Sequence, residues 1–184
     1  MVQRIFPDKC VVLDLETTGN RPQSGDQIIQ IGMCIIKQGK IVEQYTSLVK
    51  PTISIPPYIE QLTGITNERV EHAPTIQEVL PKVIAYLEQG VLVAHNIHFE
   101  LSFLQYVLEE HGYPLFSGLM LDTVELARIL LPGQQGYRLE QLAQHFQLVH
   151  HCPHQADSDA LATAQLFIAL VEKQTQVLIA GPKK

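Results

Sequence analysis

Asp14 and Glu16 stand two residues apart at the end of the apolar run 10–15, so on a strand both carboxylates project from the same face. Two acids on a buried strand are costly unless something cationic neutralises them, such as Arg, Lys or a hard metal ion. Strand-end residues already in solvent are the simpler alternative. Glu100 closes the segment Ala94-His95-Asn96-Ile97-His98-Phe99-Glu100, which runs from the end of an apolar strand into the first turn of a helix. A third group, His154-Gln155-Ala156-Asp157-Ser158-Asp159-Ala160, opens the longest helical pattern of the chain. Asp157 or Ser158 suits an N-cap there, and Asp159 in the first turn suits the helix dipole. Capping accounts for one acid. It is less adequate for two with a histidine just ahead of them. His95 and His98 have the spacing of a transition-metal pair but read more simply as surface or hydrogen-bonding groups. His150, His151 and Cys152 resemble metal ligands by composition alone and read as loop.

The surrounding pattern sets what must position these groups. Residues 10–15 predict a short buried strand ended by Thr17-Thr18-Gly19, then a polar Gly/Pro loop over 20–26. Residues 27–36 are apolar on both faces, as in a central strand, and a turn at 37–40 leads to a more polar strand at 41–49, nearer an edge. Prolines 51, 56 and 57 mark a loop followed by a short helical piece over 58–62. Thr75 and Glu78 form a capping box ahead of Ile76, Val79, Leu80, Val83 and Leu87 at helical spacing. Residues 91–94 predict a strand, 99–110 a helix with Phe99, Phe103, Tyr106 and Val107 on one stripe, and 119–121 a short strand. Helices follow over 122–131, 139–146 and 156–173. Hairpin-joined strands followed by strands alternating with helices predict an α/β fold with a mixed sheet flanked by helices.

With 184 residues the chain has room for one domain of ordinary size. A 46% apolar fraction against 17% charged excludes intrinsic disorder, and no apolar stretch approaches the ~20 residues that span a bilayer. We expect no membrane partner and no secretory signal. Three cysteines without C-x-x-C spacing suggest neither a disulfide framework nor a zinc cage, and a reducing cytoplasm is expected. The net charge of −6 argues against a passive nucleic-acid coat, which works through a basic surface. It is compatible with an enzyme that meets phosphates through metals held by its own acids.

Taken together, Asp14-Leu15-Glu16-Thr17-Thr18-Gly19, His95-Asn96-x-x-Phe99-Glu100 and His154-x-x-x-x-Asp159 resemble the three motifs of the DEDDh 3′→5′ exonucleases. All three occur in order, from residue 10 to about 170. Gly25-Asp26-x-Ile28-Ile29-Gln30-Ile31, Ile59-Glu60-Gln61-Leu62-Thr63-Gly64-Ile65 and Leu121-Asp122-Thr123-Val124-Glu125-Leu126 are similar to the N-terminal nuclease domain of DinG-type helicase-nucleases. The exonuclease domain of bacterial replicative polymerases is the close competitor.

The resemblance implies a ribonuclease H-like fold with a five-stranded sheet in the order 3-2-1-4-5, formed by residues 1–173, and a tail or linker over 174–184. It implies hydrolysis of terminal phosphodiesters of single-stranded DNA, or alternatively RNA, with release of nucleoside 5′-monophosphates. Asp14, Glu16, Glu100 and Asp159 would be the ligands of two Mg²⁺ or Mn²⁺ ions, and His154 the general base. Thr17, Thr18 and Gly19 would contact the terminal nucleotide, with Leu62 and Thr63 near its base and Asn96 beside the same pocket. A helicase or polymerase would accompany the domain in a full-length protein. The chain departs from the pattern at Glu100, where the family ordinarily has Asp. The longer arm strains an octahedral Mg²⁺ site and raises the alternative of a catalytically weakened 3′-end-binding or helicase-associated module.

Overall fold

The computed structural model describes residues 7–180. A five-stranded sheet in the order β3-β2-β1-β4-β5 forms its centre. The strands are β1 (Lys9–Thr17), β2 (Ile28–Lys37), β3 (Lys40–Leu48), β4 (Val91–Ala94) and β5 (Met120–Asp122), with β1, β2 and β3 antiparallel and β1, β4 and β5 parallel. The helices are α1 (Pro57–Thr63), α2 (Asn67–Val70), α3 (Ile76–Leu87), α4 (Ile97–Glu110), α5 (Thr123–Leu130), α6 (Leu139–Phe146) and α7 (Ala156–Ala180). The expected mixed sheet and its order are those observed, with β3 at one edge.

Side-chain alternation on β1 divides the core. Val11, Leu13 and Leu15 face one side, where they pack with Val83 and Leu87 of α3 and Phe103 and Val107 of α4. Cys10 and Val12 face the other, under Ala160, Ala164, Phe167 and Val171 of α7. That spacing is one stripe of a helix, and its two alanines let α7 approach the sheet closely. A second stripe, Ala162, Leu166 and Leu170, packs against Ala127 of α5 and Leu142 of α6. Buried on two sides, α7 is the central helix of its layer. Asp14 and Glu16 continue the Cys10–Val12 face, so they arrive beneath the beginning of α7.

One expectation needs correction. The last helix does not stop at Lys173 but runs on to Ala180, so the start of the expected tail is helical; residues 181–184 lie outside the described residues. The short helix α2 has no apolar period to announce it; its signal is Thr66, whose hydroxyl accepts from the Arg69 amide at 3.2 Å. The Thr75–Glu78 box forms, with the Glu78 carboxylate accepting from the Thr75 amide at 2.7 Å.

Candidate active site

The parallel strands β1 and β4 end side by side, and the helices that follow them start at that same edge. Glu16 lies at the end of β1, and Glu100 in the first turn of α4 directly after β4. Asp159 comes from the first turn of α7, and its nearness to β1 depends on a residue with no side chain. Gly32 of β2 is paired with Asp14, and a Cβ there would lie 1.9 Å from the Ala156 carbonyl oxygen. Gln30, two residues earlier on the same face, accepts from the Ala156 amide at 3.0 Å. Glycine admits the start of α7 and glutamine fastens it. Gly32→Ala therefore pushes α7 off the sheet and displaces Asp159. We expect a destabilisation of at least about 2 kcal/mol, as for overpacked cores, with a parallel loss of any metal affinity. Thermal melting and calorimetric titration with Mn²⁺ check both.

Asp14, Glu16 and Asp159 each present a carboxylate oxygen within 4.8 Å of the others. Burial pushes the Asp14 carboxyl well above the usual carboxylate range, helped by Glu100, Asp159 and Glu16. Burial and Asp159 raise Glu16 to about 8. Burial, with Asp122 and Glu16, raises Glu100 to about 8 against its own backbone amide, which lowers it. Asp159 is raised by burial and drawn back by His150 and His154. The Glu100 Oε2 atom is buried with no hydrogen-bond partner. Four acids that repel one another, one with an orphaned oxygen, are a donor set suited to hard divalent cations.

The raised values fix a pH dependence. Unfolded carboxyls titrate near about 4, so between there and about 8 the folded, metal-free chain binds more protons than the unfolded one. Stability from these groups is present at low pH and is lost as pH rises through about 8. Melting in chelator between pH 5.5 and 8.5 should show Tm falling with pH, and saturating Mg²⁺ should remove the slope. A chelated protein whose Tm is flat or rises over that range would contradict this electrostatic account.

Two cavities meet over the acids. One, of about 390 Å³, is lined by Glu16, Thr17, Gly19, Tyr58, Ile59 and Leu62; the other, of about 760 Å³, by His95, Asn96, Glu100, Arg128, Tyr137 and Arg138. Asp14, Phe99, His154 and Asp159 line both, so the acids form a shared floor. A further cavity between Gly25–Ile28 and the helices α3 and α4 contains none of these four acids.

The sequence-derived substrate residues separate. Thr17, Gly19 and Leu62 line the smaller cavity. The side chains of Thr18 and Thr63 line neither and are buried. Thr18 Oγ1 accepts from the Gln27 amide at 2.9 Å, and Thr63 Oγ1 donates to the Ile59 carbonyl at 2.9 Å. Asn96 is on the larger cavity rather than beside Leu62, in left-handed backbone at φ 70°, with its amide donating to Asp122 Oδ1 at 3.1 Å. His95 and His98 are not a metal pair. The His95 ring bonds Thr123 Oγ1 at 2.8 Å through Nδ1, while His98 is exposed on α4.

The sequence reading missed His150. Its ring, 7% exposed, places Nε2 2.5 Å from Asp159 Oδ1, and the His154 amide donates to Asp159 Oδ2 at 3.1 Å. Both carboxylate oxygens are thus oriented from the same loop. Ser158 and Asp157 do not cap α7 as expected: Ser158 Oγ accepts from the Cys152 amide at 3.2 Å, and Asp157 Oδ1 faces Gln30 Nε2 at 3.4 Å. His150 could have been found as the polar residue one helical turn before His154, but that spacing has no meaning in a loop.

A 3-2-1-4-5 mixed sheet with acids gathered at the ends of its parallel strands defines a ribonuclease H-like nuclease fold. Residues 11–167 match the exonuclease family, and the chain belongs to that family. It is 47% identical over 167 residues to the 3′-5′ exonuclease DinG of Bacillus subtilis (strain 168), covering 91% of this chain and 18% of that protein. It is 42% identical over 169 residues to the PolC-type DNA polymerase III of Caldanaerobacter subterraneus subsp. tengcongensis, covering 91% of this chain and 12% of that protein. The chain therefore spans less than a fifth of the length of either relative. Among solved structures it is similar to exonuclease X in complex with 5′ overhanging duplex DNA, at 28% identity and TM-score 0.70, covering 94% of this chain and 99% of that one. The nuclease domain of 3′hExo, a DEDDh family member bound to rAMP, shares the fold at TM-score 0.81 and 18% identity, over 95% and 97% of the two chains. No helix of the described residues is long and apolar enough to cross a membrane.

Proposed function

We propose that this domain is a metal-dependent 3′→5′ exonuclease that removes nucleoside 5′-monophosphates from single-stranded DNA. The observation that carries the reading is the 4.8 Å carboxylate group at the junction of the two cavities, with His154 over both. Asp14, Glu16, Asp159 and Glu100 would hold two Mg²⁺ or Mn²⁺ ions, which when bound would lower the pKa of water and neutralise charge on the phosphate. His154 is exposed and takes the proton of the attacking water. Leu62, Ile59 and Phe99 seat the terminal base by apolar contact, and Thr17 and Gly19 border its sugar. Such a pocket reads no base edge and favours frayed or single strands. In a full-length protein the domain serves a helicase or a polymerase in the cytoplasm, with residues 1–173 as the nuclease unit.

Incubating 5′-labelled single-stranded DNA with Mg²⁺ or Mn²⁺ tests this: a descending ladder supports it, and a 3′-phosphate or a 3′ hairpin should slow the digestion strongly. One observation favours a second reading, a weakened module that holds 3′ ends, since Glu100 is not within the 4.8 Å group. An intact band beside measurable binding would select it, and digestion of RNA alone would move the substrate to RNA.

Glu100 supplies its own test. Glu100→Gln keeps the size and removes the charge, and should lower kcat by about 10²-fold or more, the several kcal/mol that metal-borne charge stabilisation supplies. Glu100→Asp should raise activity with Mg²⁺ and less so with Mn²⁺. If Glu100 only favours the helix dipole, Gln costs about 0.3–1 kcal/mol of stability and leaves kcat alone.

A further inference from the structure

The acidic site needs a strand of phosphates to lie across it, yet among the described residues no Arg or Lys lines the smaller cavity. Among the described residues, Arg128 and Arg138 are the two such side chains lining either cavity, and both line the larger one. They flank a prepared ring. Tyr137 is anchored by its hydroxyl, which donates to the Leu131 carbonyl at 2.9 Å, and Arg128 sits 5.8 Å from its centroid. Arg128 also pairs with Glu125 at 3.0 Å, but the two side chains are 58% and 62% exposed, so the pair is readily exchanged for a phosphate. Arg138 is exposed just ahead of α6. Apart from the site's own acids, Glu140 is the acidic group on this cavity.

We propose that the larger cavity is the seat of the strand upstream of the scissile phosphate: Arg128 and Arg138 take the phosphates there, and a base stacks on Tyr137. This rests on the exonuclease reading, which places the terminal nucleotide in the smaller, apolar cavity. With the reacting phosphate over the shared floor, the chain of phosphates leaves through the side that carries cations. The division gives each cavity one task. Leu62 and Phe99 recognise an end, whereas Arg128, Tyr137 and Arg138 recognise that the end belongs to a polymer. Stacking and phosphate contact are sequence-tolerant, so the subsite adds affinity for length without adding base preference.

The test compares a ligand that reaches the subsite with one that does not. Binding of a 5′-labelled single-stranded DNA 12-mer is followed by fluorescence anisotropy, and that of thymidine 5′-monophosphate by calorimetry. Both use Ca²⁺, whose looser coordination suits binding better than the alignment for turnover. In Arg128→Ala/Arg138→Ala the 12-mer Kd should rise at least tenfold, while that of the mononucleotide moves less than twofold. The slope of log K against log salt should fall by about 1.4, the counterion release of two phosphate contacts on a single strand. Arg128→Lys/Arg138→Lys should recover most of that slope. A 12-mer Kd within twofold of wild type, or equal weakening of both ligands, overturns the subsite. A wild-type chain that binds the 12-mer with the predicted arginine dependence but never degrades it in Mg²⁺ overturns the exonuclease reading alone. A wild-type chain that binds neither ligand overturns both.

Discussion

Asp14→Asn abolishes turnover, by about 10³-fold or more, and in chelator at pH 8 the same variant melts higher than the wild type. The two effects have one cause. Asp14 is flanked by Glu100, Asp159 and Glu16, and burial already disfavours its charge. Without a cation its ionisation opposes folding, so a neutral amide of the same shape relieves the strain. With Mg²⁺ the same charge becomes the means of holding the ion, and its loss removes several kcal/mol of charge stabilisation from the reacting phosphate. The gain in Tm should shrink as pH falls, because burial and the neighbouring acids raise the wild-type carboxyl, so it is neutralised before an ordinary one. A variant that loses activity and also melts lower at every pH would assign Asp14 a structural role. One that keeps activity would remove it from the site.

His154→Ala should lower kcat by about 10²–10⁴-fold, the range of a positioned general base, while metal affinity stays near that of the wild type. The residual rate should climb toward alkaline pH as hydroxide replaces the base. His154 lies in left-handed backbone at φ 62°, and its amide, not its ring, holds Asp159. His154→Asn is therefore the cleaner variant, since asparagine adopts that backbone more readily than alanine. Both variants should fail alike. If Asn retains the wild-type rate and Ala does not, the loop conformation is what matters, and the ring is not the base.

The division between what the sequence reveals and what it hides follows the range of the interactions. The strands of β1, β2 and β4 and the α3 capping box are set by local alternation and local hydrogen bonds, and all are readable from residue order. Asp14 and Glu16 are readable because carboxylates on a buried strand contradict its apolar pattern. Gly32 is silent in sequence: its importance lies in the Ala156 backbone lying against it, a contact spanning more than a hundred residues. His150 is silent for a similar reason, since a left-handed turn at His154 folds the loop back onto Asp159. Thr18 and Thr63 show what a motif does not reveal: their hydroxyls are committed to backbone partners, the Gln27 amide and the Ile59 carbonyl, so what they offer a substrate is backbone or packing.

The most direct measurement uses one oligonucleotide in two forms, linear and closed into a single-stranded circle, incubated with the wild-type chain and Mg²⁺. An exonuclease that must seat a free 3′ terminus in the Leu62–Phe99 cavity degrades the linear form to nucleoside 5′-monophosphates and leaves the circle intact. Cleavage of the circle at a comparable rate, or an untouched linear strand, would contradict the account.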